Sequence, residues 1–164
     1  MTAHAHTPHG AGPCTIEPAP YDDAAVRQLL AEFQAAQMAL YGFADDPSAT
    51  PPDDYTAPDG LFLLARTTSR EPAGCGGWRR LDERTAEIKR MYLRPAFRGL
   101  SLGRSILRLL EDDARAQGFH VAQLETGVGN RAALALYHRE GYHPIPSYGP
   151  GRDPSINRAL RKQL

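Results

Sequence analysis

Several features are scarce or missing in this sequence of 164 residues, and each absence argues against a class of protein. Two cysteines, Cys14 and Cys75, are too few and too far apart for a disulfide framework, so a reducing compartment is expected. No apolar run approaches the roughly 18 residues of a membrane span, and the N-terminus lacks an apolar signal core. The formal net charge is +0, which gives no indication of binding to nucleic acid or to anionic membranes. We therefore expect a cytoplasmic protein without nucleic-acid or membrane partners.

The composition is that of one folded domain. Hydrophobic residues make up 41% of the chain and charged residues 23%, which is ordinary for a globular protein. We expect a flexible N-terminal tail over residues 1–13 and a single domain over residues 14–164. The tail carries His4, His6 and His9, for which a mobile polar terminus is a better explanation than a metal site. No metal ion is therefore expected.

Hydrophobic periodicity and turn residues predict three helices and a series of strands. The helices are predicted over Tyr21–Tyr41, from Leu102 to an end at Gly118, and over Arg131–Glu140, with Asp22 or Asp23 capping the first. The strands are predicted over Cys14–Glu17, Leu61–Arg66, Ala73–Leu81, Glu87–Leu93, His120–Thr126, Tyr142–Pro146 and Ile156–Leu164. The strand–helix–strand unit in the middle indicates a parallel crossover, and the tight turn before it indicates an antiparallel pair. The prediction is one mixed α/β sheet with helices on both faces.

The turn at residues 98–104 stands between a strand and an amphipathic helix. Glycines let its backbone approach a ligand, and the free N–H groups of a helix start favour an anion such as phosphate. It is not a Walker loop, because no Gly-Lys-Ser/Thr follows, and it has too few glycines for a dinucleotide fingerprint. A glycine turn before a helix is common, so this turn alone leaves a purely structural role open.

Two motifs in the chain resemble those of the GCN5-related N-acetyltransferases (GNAT family). The turn is similar to the family's acetyl-CoA loop, Gln/Arg-x-x-Gly-x-Gly/Ala, with Arg98 and Gly103 at the outer positions and Ser101 in place of the middle glycine. The segment from Asn130 to Tyr142 resembles the family's N-x-x-A-x-x-x-Y-x-x-x-G-F/Y signature. The resemblance implies a mixed, mostly antiparallel sheet with a splayed parallel strand pair at the acetyl-CoA site. Serine at 101 keeps its N–H, so pyrophosphate binding survives provided that its φ is negative.

The resemblance also implies an acetyl-CoA site. The backbone of Met91, Tyr92 and Leu93 should pair with the pantetheine arm and polarise the thioester carbonyl. The pyrophosphate should be held by the N–H groups and arginine side chains of the turn, which are Arg98, Gly99, Leu100, Ser101, Leu102, Gly103 and Arg104. Asn130, Ala133 and Tyr137 match the second motif, and Asn130 should touch the pantetheine, cap its helix, or do both.

Amine attack on a thioester needs a proton acceptor for the ammonium and benefits from a proton donor for the thiolate. Tyr137 matches the family's acid; the alternative is a buried aromatic. In the histone-acetyltransferase branch of the family a Glu-Ile pair opens this strand and its glutamate is the base, so the resemblance makes Glu87 the first choice. Alternation puts Glu87 on the same strand face as Lys89 and Met91. The alternative roles of Glu87 are an ion pair with Lys89 or Arg90 and a solvated strand end. If Glu87 is not the base, Glu125 or a chain of waters takes that role.

The acceptor is left open by the resemblance. Residues 42–59 carry five aspartates (Asp45, Asp46, Asp53, Asp54 and Asp59) and no lysine or arginine, which favours a cationic acceptor or a solvated acidic loop. The leading interpretation is an acetyl-CoA-dependent N-acetyltransferase acting on the primary amine of a small molecule. A protein lysine or N-terminal acetyltransferase and a non-catalytic acyl-CoA-binding module are the alternatives. A homodimer is left open.

Overall fold

The computed structural model describes residues 4–6, 13–99 and 101–164. Its helices are α1 (Ala24–Tyr41), α2 (Leu102–Ala116) and α3 (Arg131–Arg139). Its strands are β1 (His4–His6), β2 (Cys14–Pro18), β3 (Gly60–Thr67), β4 (Pro72–Arg80), β5 (Thr85–Leu93), β6 (Val121–Gly127), β7 (His143–Ile145) and β8 (Asn157–Gln163). Within the segment expected as a tail, β1 pairs with β2, and residues 1–3 and 7–12 lie outside the described residues. No helix of the described ranges is long and apolar enough to cross a bilayer.

All strands lie in one mixed sheet, in the order β1-β2-β3-β4-β5-β6-β8-β7. Every neighbouring pair is antiparallel except β5 and β6, which are joined through α2 and run parallel. That parallel pairing extends only from Thr85–Val121 to Glu87–Gln123 in the described chain, although both strands continue. We call the gap beyond Glu87, between residues 88–93 of β5 and residues 124–127 of β6, the wedge. The predicted fold with its splayed strand pair is confirmed.

The two faces of the sheet bury separate apolar clusters. Ile106, Leu107 and Leu110 of α2 pack on one face with Tyr137 of α3, and we call this the α2 face. Val26, Leu29 and Leu30 of α1 pack on the other, the α1 face, together with the rings of Tyr21, Tyr55 and Phe62. Asp23 caps α1 by accepting hydrogen bonds from the N–H groups of Ala25 and Val26. Of the two predicted caps, Asp22 and Asp23, the second is therefore confirmed. Helices therefore cover both faces, as predicted.

A β-bulge in β5 changes which side chains share a face. Arg90 has φ +60°, and the β4–β5 register shifts beside it, so one extra residue is accommodated in β5. Met91 consequently packs with the α2 cluster, whereas Tyr92 packs with the α1 cluster. The prediction that Glu87 and Met91 share a face was wrong, because strict alternation ends at the bulge. Glu87 and Lys89 lie before the bulge and keep their common face.

Candidate active site

The wedge leaves one edge of β5 without a neighbouring strand in the middle of the sheet. Leu93 and Tyr92 pair with Gly74 and Cys75 of β4 on the other edge, so the strand is held in place while its backbone toward β6 stays open. Unpaired strand backbone is a template for an extended partner that can accept and donate hydrogen bonds. The backbone expected to bind pantetheine, at Met91, Tyr92 and Leu93, borders this wedge.

The turn before α2 places uncapped N–H groups beside the end of β5. Helix α2 begins at Leu102, and no side chain caps its first turn, which also includes Gly103 and Arg104. Gly99 has φ +75° and no heavy atom within 4 Å of where a Cβ would stand, so its backbone is open to approach. Leu100, expected to contribute an N–H, lies outside the described residues. This geometry suits an oxyanion such as a phosphate at the helix start.

Ser101 adopts a left-handed backbone conformation, with φ +66° and ψ 6°. The negative φ on which the sequence-based argument for Ser101 depended is therefore not met. The turn into α2 requires the positive φ that glycine adopts freely, and serine adopts it at a conformational cost. The side chain of Ser101 makes no capping hydrogen bond that would offset this cost. The position therefore has the backbone geometry of glycine without being glycine.

Ser101→Gly should stabilise the fold by up to about 1 kcal/mol, because glycine removes the left-handed penalty and gives back part of that gain through its unfolded-state entropy. In a chain of this size the melting temperature should rise by up to about 4 °C. Ser101→Ala is the matched control, since it keeps the penalty and loses no cap, and its melting temperature should stay near that of the parent. Equal melting temperatures for the two variants would contradict the positive φ.

Both arginines of the turn already have partners within the protein. The Arg98 Nε atom donates to the carbonyl of Leu93 at 3.0 Å, one of the backbone groups expected to face pantetheine. The Arg104 Nε atom lies 2.7 Å from Oε1 of Glu140, and Arg108 binds the other oxygen of that carboxylate. Arg104 is half exposed, so its remaining donors can still meet a phosphate.

The second motif lies on α3, which is next to the start of α2, since Glu140 at its end pairs with Arg104. Asn130 caps α3 by accepting from the N–H of Ala133 at 3.4 Å, and Ala133 packs against the α2 cluster. Tyr137 is 4% exposed, and its ring packs edge-on against Tyr142 at 5.6 Å between centroids. The Tyr137 hydroxyl donates to no described residue. Burial raises the pKa of Tyr137 above its ordinary value, which keeps the phenol protonated at neutral pH.

Glu87 is buried on the α1 face, near the point where β5 and β6 stop pairing. Its Oε1 atom accepts from Nε of Arg79 at 3.1 Å, and its Oε2 atom accepts from the hydroxyl of Tyr148 at 2.7 Å. Neither Lys89 nor Arg90, its expected partners, forms an ion pair with it. Burial, and then the charge of Glu87, raises the pKa of Tyr148, so this phenol stays a donor. The side chain of Glu87 is thus held in place by two donors.

Glu125 holds a loop in place. Its Oε1 atom accepts from the backbone N–H groups of Tyr148 and Gly149, both at 2.8 Å, and its Oε2 atom lies 2.8 Å from Nε of Arg152. Both oxygens are therefore engaged with the 146–156 loop. This arrangement suits a residue that positions Tyr148.

The acidic 42–59 loop is largely neutralised by arginines. Asp45 pairs with Arg152, Asp54 with Arg79, and Asp59 with Arg80. Asp46 accepts from Ser48 and caps a short turn. Burial acts to raise the pKa of Asp45, but the charge and hydrogen bond of Arg152 outweigh it and hold that pKa below the ordinary value. The loop therefore offers less free negative charge than its sequence suggests.

Three side chains of this site were not singled out in the sequence: Arg79, Tyr148 and Arg152. Each bridges segments that are far apart in the chain, and a lone arginine or tyrosine in a strand or loop carries no local signal of such a contact.

A cleft of about 380 Å³ lies elsewhere, between α3 and the β7–β8 edge. It contains neither Glu87 nor Tyr137 and has no place in this chemistry. The described ranges contain no cluster of three or more His, Cys, Asp or Glu side chains suited to a metal ion.

Known proteins are similar to this chain in sequence and in architecture. The sequence model of the Acetyltransferase (GNAT) family matches residues 24–142. An IAA acetyltransferase from Azospirillum brasilense is 37% identical over 138 residues, which cover 82% of this chain and 88% of that protein. A proposed acyl-CoA N-acyltransferase from Klebsiella pneumoniae has a crystal structure with TM-score 0.78 and 33% identity, covering 92% of this chain and 97% of that one.

A more distant structure is similar in fold alone. A GNAT-family acetyltransferase from Elizabethkingia anophelis, solved with acetyl-CoA bound, has TM-score 0.65 and 20% identity, and the match covers 92% of this chain and 98% of that one.

Proposed function

Because the chain belongs to the Acetyltransferase (GNAT) family, whose members use acetyl-CoA, we propose that it is an acetyl-CoA-dependent acetyltransferase. It transfers the acetyl group directly to the primary amine of a small molecule. The observation that carries this proposal is the open backbone edge of β5, which begins beyond Glu87 and leads to the uncapped start of α2. An extended pantetheine arm needs such an edge, and a pyrophosphate needs such a helix start.

The side chains around the wedge supply the two proton transfers. The amine nitrogen bonds to the carbonyl carbon of the thioester, and the carbon–sulfur bond breaks. Glu87 accepts the proton that the amine loses, directly or through a water, and Tyr137 donates a proton to the departing thiolate. The N–H groups of β5 at the wedge stabilise the negative charge that develops on the carbonyl oxygen. Glu125 acts through Tyr148, as a positioning residue.

A small acceptor is favoured over a protein by the covering of the α1 face. Arg152 contacts Asp45 of the 42–59 loop and Glu125 of β6, so it ties the two covering loops together near the end of β6. Near the same place, the hydroxyl of Tyr41 at the end of α1 accepts a hydrogen bond from the N–H of Gly129 at 3.0 Å. An extended peptide would have to displace these contacts, whereas a small amine would fit beneath them.

A cytoplasmic location is part of this proposal. Both cysteines, Cys14 and Cys75, are free and buried, which is compatible with a reducing compartment.

Purified protein should bind acetyl-CoA and release free CoA only when an amine acceptor is added. Binding is measured by calorimetry with acetyl-CoA alone, and turnover by thiol detection over a panel of small amines and lysine-containing peptides. Release with small amines at rates well above the peptides supports the proposal. Release with peptides alone would favour the protein acetyltransferase. Binding without turnover of any acceptor would favour the non-catalytic module, and absence of binding would overturn the assignment of the wedge.

A further inference from the structure

Two cations on the α1 face, Lys89 and Arg90, have no carboxylate partner. They follow Glu87 on β5, at the bulge that borders the wedge. Among the described residues, no carboxylate lies within 4.0 Å of either charged group, and four acids of this face form ion pairs with other cations. Those acids are engaged with other arginines: Asp54 and Glu87 with Arg79, and Asp45 and Glu125 with Arg152.

Arg90 is the more unusual of the two, because it is only 9% exposed. Its Nη2 atom donates to the hydroxyl of Thr50 at 3.3 Å, and its Nε atom is fully buried without a hydrogen-bond partner. The hydroxyl of Tyr55, which the Arg90 charge also influences, is likewise buried and unpaired. Unpaired buried donors cost free energy, and a buried charge without a counter-ion costs more. The α1 face therefore has donors in excess of acceptors at this point.

Lys89 is the second cation, and it lies next to the proposed base Glu87. It shares a face with Glu87 and is partly buried, and it has no hydrogen-bond partner among the described residues. The charges of Glu87 and Asp45 attract it, while those of Arg79 and Arg90 repel it. Two residues along a strand separate the Cα atoms of Glu87 and Lys89 by roughly 6 to 7 Å. A group bound at Lys89 would thus lie a few bonds away from an amine bound at Glu87.

We propose that Lys89 and Arg90 form an oxyanion subsite for the acceptor, so that the preferred amine carries a carboxylate or a similar acidic group within a few bonds of its nitrogen. This inference rests on the proposed function, since it concerns the acceptor of the same site. The acidic group supplies the acceptor oxygens that the two cations lack, and charge-assisted hydrogen bonds of this kind are among the stronger ones. The subsite also orients the amine toward Glu87 and the wedge.

The direction of this preference differs from that suggested by the five aspartates of the 42–59 loop. An acidic loop favours a cationic acceptor only when its carboxylates are free. Here Asp45, Asp54 and Asp59 are paired with arginines, whereas Lys89 and Arg90 form no ion pair with a described carboxylate. The acceptor is therefore a zwitterion-like amine, in which the ammonium goes to Glu87 and the acidic group to Lys89 and Arg90.

The test compares α-amino acids with their amides, and 2-aminoethylphosphonate with ethanolamine, by acetyl-CoA-dependent release of free CoA. Each pair keeps the amine and removes the acidic group. The acidic member should have the higher kcat/KM by about 10- to 100-fold, the range expected for hydrogen bonds to a charged group. The pair with the larger ratio distinguishes a carboxylate from a phosphonate. Equal or higher kcat/KM for the members without the acidic group overturns the subsite while leaving the proposed function intact.

Lys89→Gln should abolish most of this discrimination. Its kcat/KM should fall about 10-fold or more for the acidic members and change little for the amides, with the loss mainly in KM. Arg90→Lys provides a second variant that keeps the buried charge and tests the fork geometry of the guanidinium. Arg27→Gln is the control, because Arg27 is an exposed cation of α1 remote from the bulge, and it should leave the ratios unchanged. An equal loss for acids and amides in Lys89→Gln would overturn the subsite.

A binding measurement keeps the inference testable if no member of the panel is acetylated. With CoA present, millimolar amino acid should raise the melting temperature of the parent protein more than the corresponding amide does. Lys89→Gln should lose this difference. If the parent protein shows no difference between acid and amide, the subsite is refuted, whatever the outcome of the acetyl-CoA binding experiment.

Discussion

Tyr137→Phe should lower kcat by about 10²- to 10⁴-fold while leaving the affinity for acetyl-CoA nearly unchanged. The phenol is buried, its hydroxyl has no partner in the described chain, and burial keeps it protonated. Removing the oxygen deletes the proton donor for the thiolate and disturbs no hydrogen bond of the folded protein. The free energy of unfolding should therefore stay close to that of the parent. Steady-state kinetics with thiol detection, acetyl-CoA calorimetry and denaturant unfolding measure the three quantities.

Tyr142→Phe is the matched control, because Tyr142 packs against Tyr137 and differs only in the task of its hydroxyl. That hydroxyl donates to Oε2 of the buried Glu111 at 2.8 Å, and Lys162 pairs with the same carboxylate. Loss of a hydrogen bond to a charged group should cost about 1.5 to 3 kcal/mol of stability, with kcat of the folded enzyme largely retained. Tyr137→Phe should thus lose activity and keep its stability, whereas Tyr142→Phe should lose stability and keep its activity. A loss of only about twofold in Tyr137→Phe would leave that ring as packing alone.

Glu87→Gln should reduce kcat/KM by about 10²- to 10⁴-fold for acceptors whose amine is protonated at the assay pH. The amide keeps the size of the side chain and can still accept one hydrogen bond, from Arg79 or from Tyr148. It cannot take up the proton of an ammonium. The reduction should therefore shrink for weakly basic amines that are already neutral at that pH. The measurement is kcat/KM over a series of acceptors of falling basicity, in the parent and the variant.

Glu125→Gln is the comparison that separates the two carboxylates. Glutamine at this position can still accept from the N–H groups of Tyr148 and Gly149, but it loses the charge that faces Arg152. We expect a loosened 146–156 loop and a raised KM, with a reduction that does not depend on amine basicity. If the basicity dependence appears in Glu125→Gln and is absent in Glu87→Gln, the assignment of the base is reversed.

Most elements of the fold could be predicted because their signals are local. The β3 strand was predicted over Leu61–Arg66 and spans Gly60–Thr67, and its continuous apolar run is what a strand buried on both faces requires. Helix α3 was predicted over Arg131–Glu140 and spans Arg131–Arg139, since Asn130 caps it and the chain turns at Gly141 with φ +92°. Capping residues and glycines act within one turn of the chain, so they can be read directly.

The bulge at Arg90 could not be predicted, because it depends on the partner strand. Glycines in β4 allow the close approach of β5: a Cβ at Gly76 would lie 2.4 Å from the sulfur of Met91. The sequence shows those glycines and suggests an irregularity in β4. It does not show which residue of β5 takes up the extra length, and that choice decides the face on which Met91 lies.

The partners of the charged residues were also beyond local reasoning. Glu87 was assigned a role from its strand position, but its contacts come from Arg79 across the hairpin and from Tyr148, 61 residues further along the chain. The same holds for the pairing of Asp45 with Arg152. Such contacts follow from the assembled sheet, so the acidity of the 42–59 loop overstated its free charge.

The short parallel contact between β5 and β6 has a mechanical consequence. Strands β1 to β5 form one half of the sheet and β6, β8 and β7 form the other. In the described chain their backbones are joined at one end of the wedge by the three residue pairs from Thr85–Val121 to Glu87–Gln123, and the N–H groups of His120 and Val121 donate to the carbonyl of Arg84. Because this pairing ends at the wedge, we expect any relative movement of the two halves to pivot about that end. The two groups proposed for proton transfer lie on elements attached to different halves: Glu87 on β5, and Tyr137 on α3, which follows β6. We expect an extended ligand along β5 to fill the wedge and restrict this movement, so that substrate binding fixes the distance between the proposed base and acid.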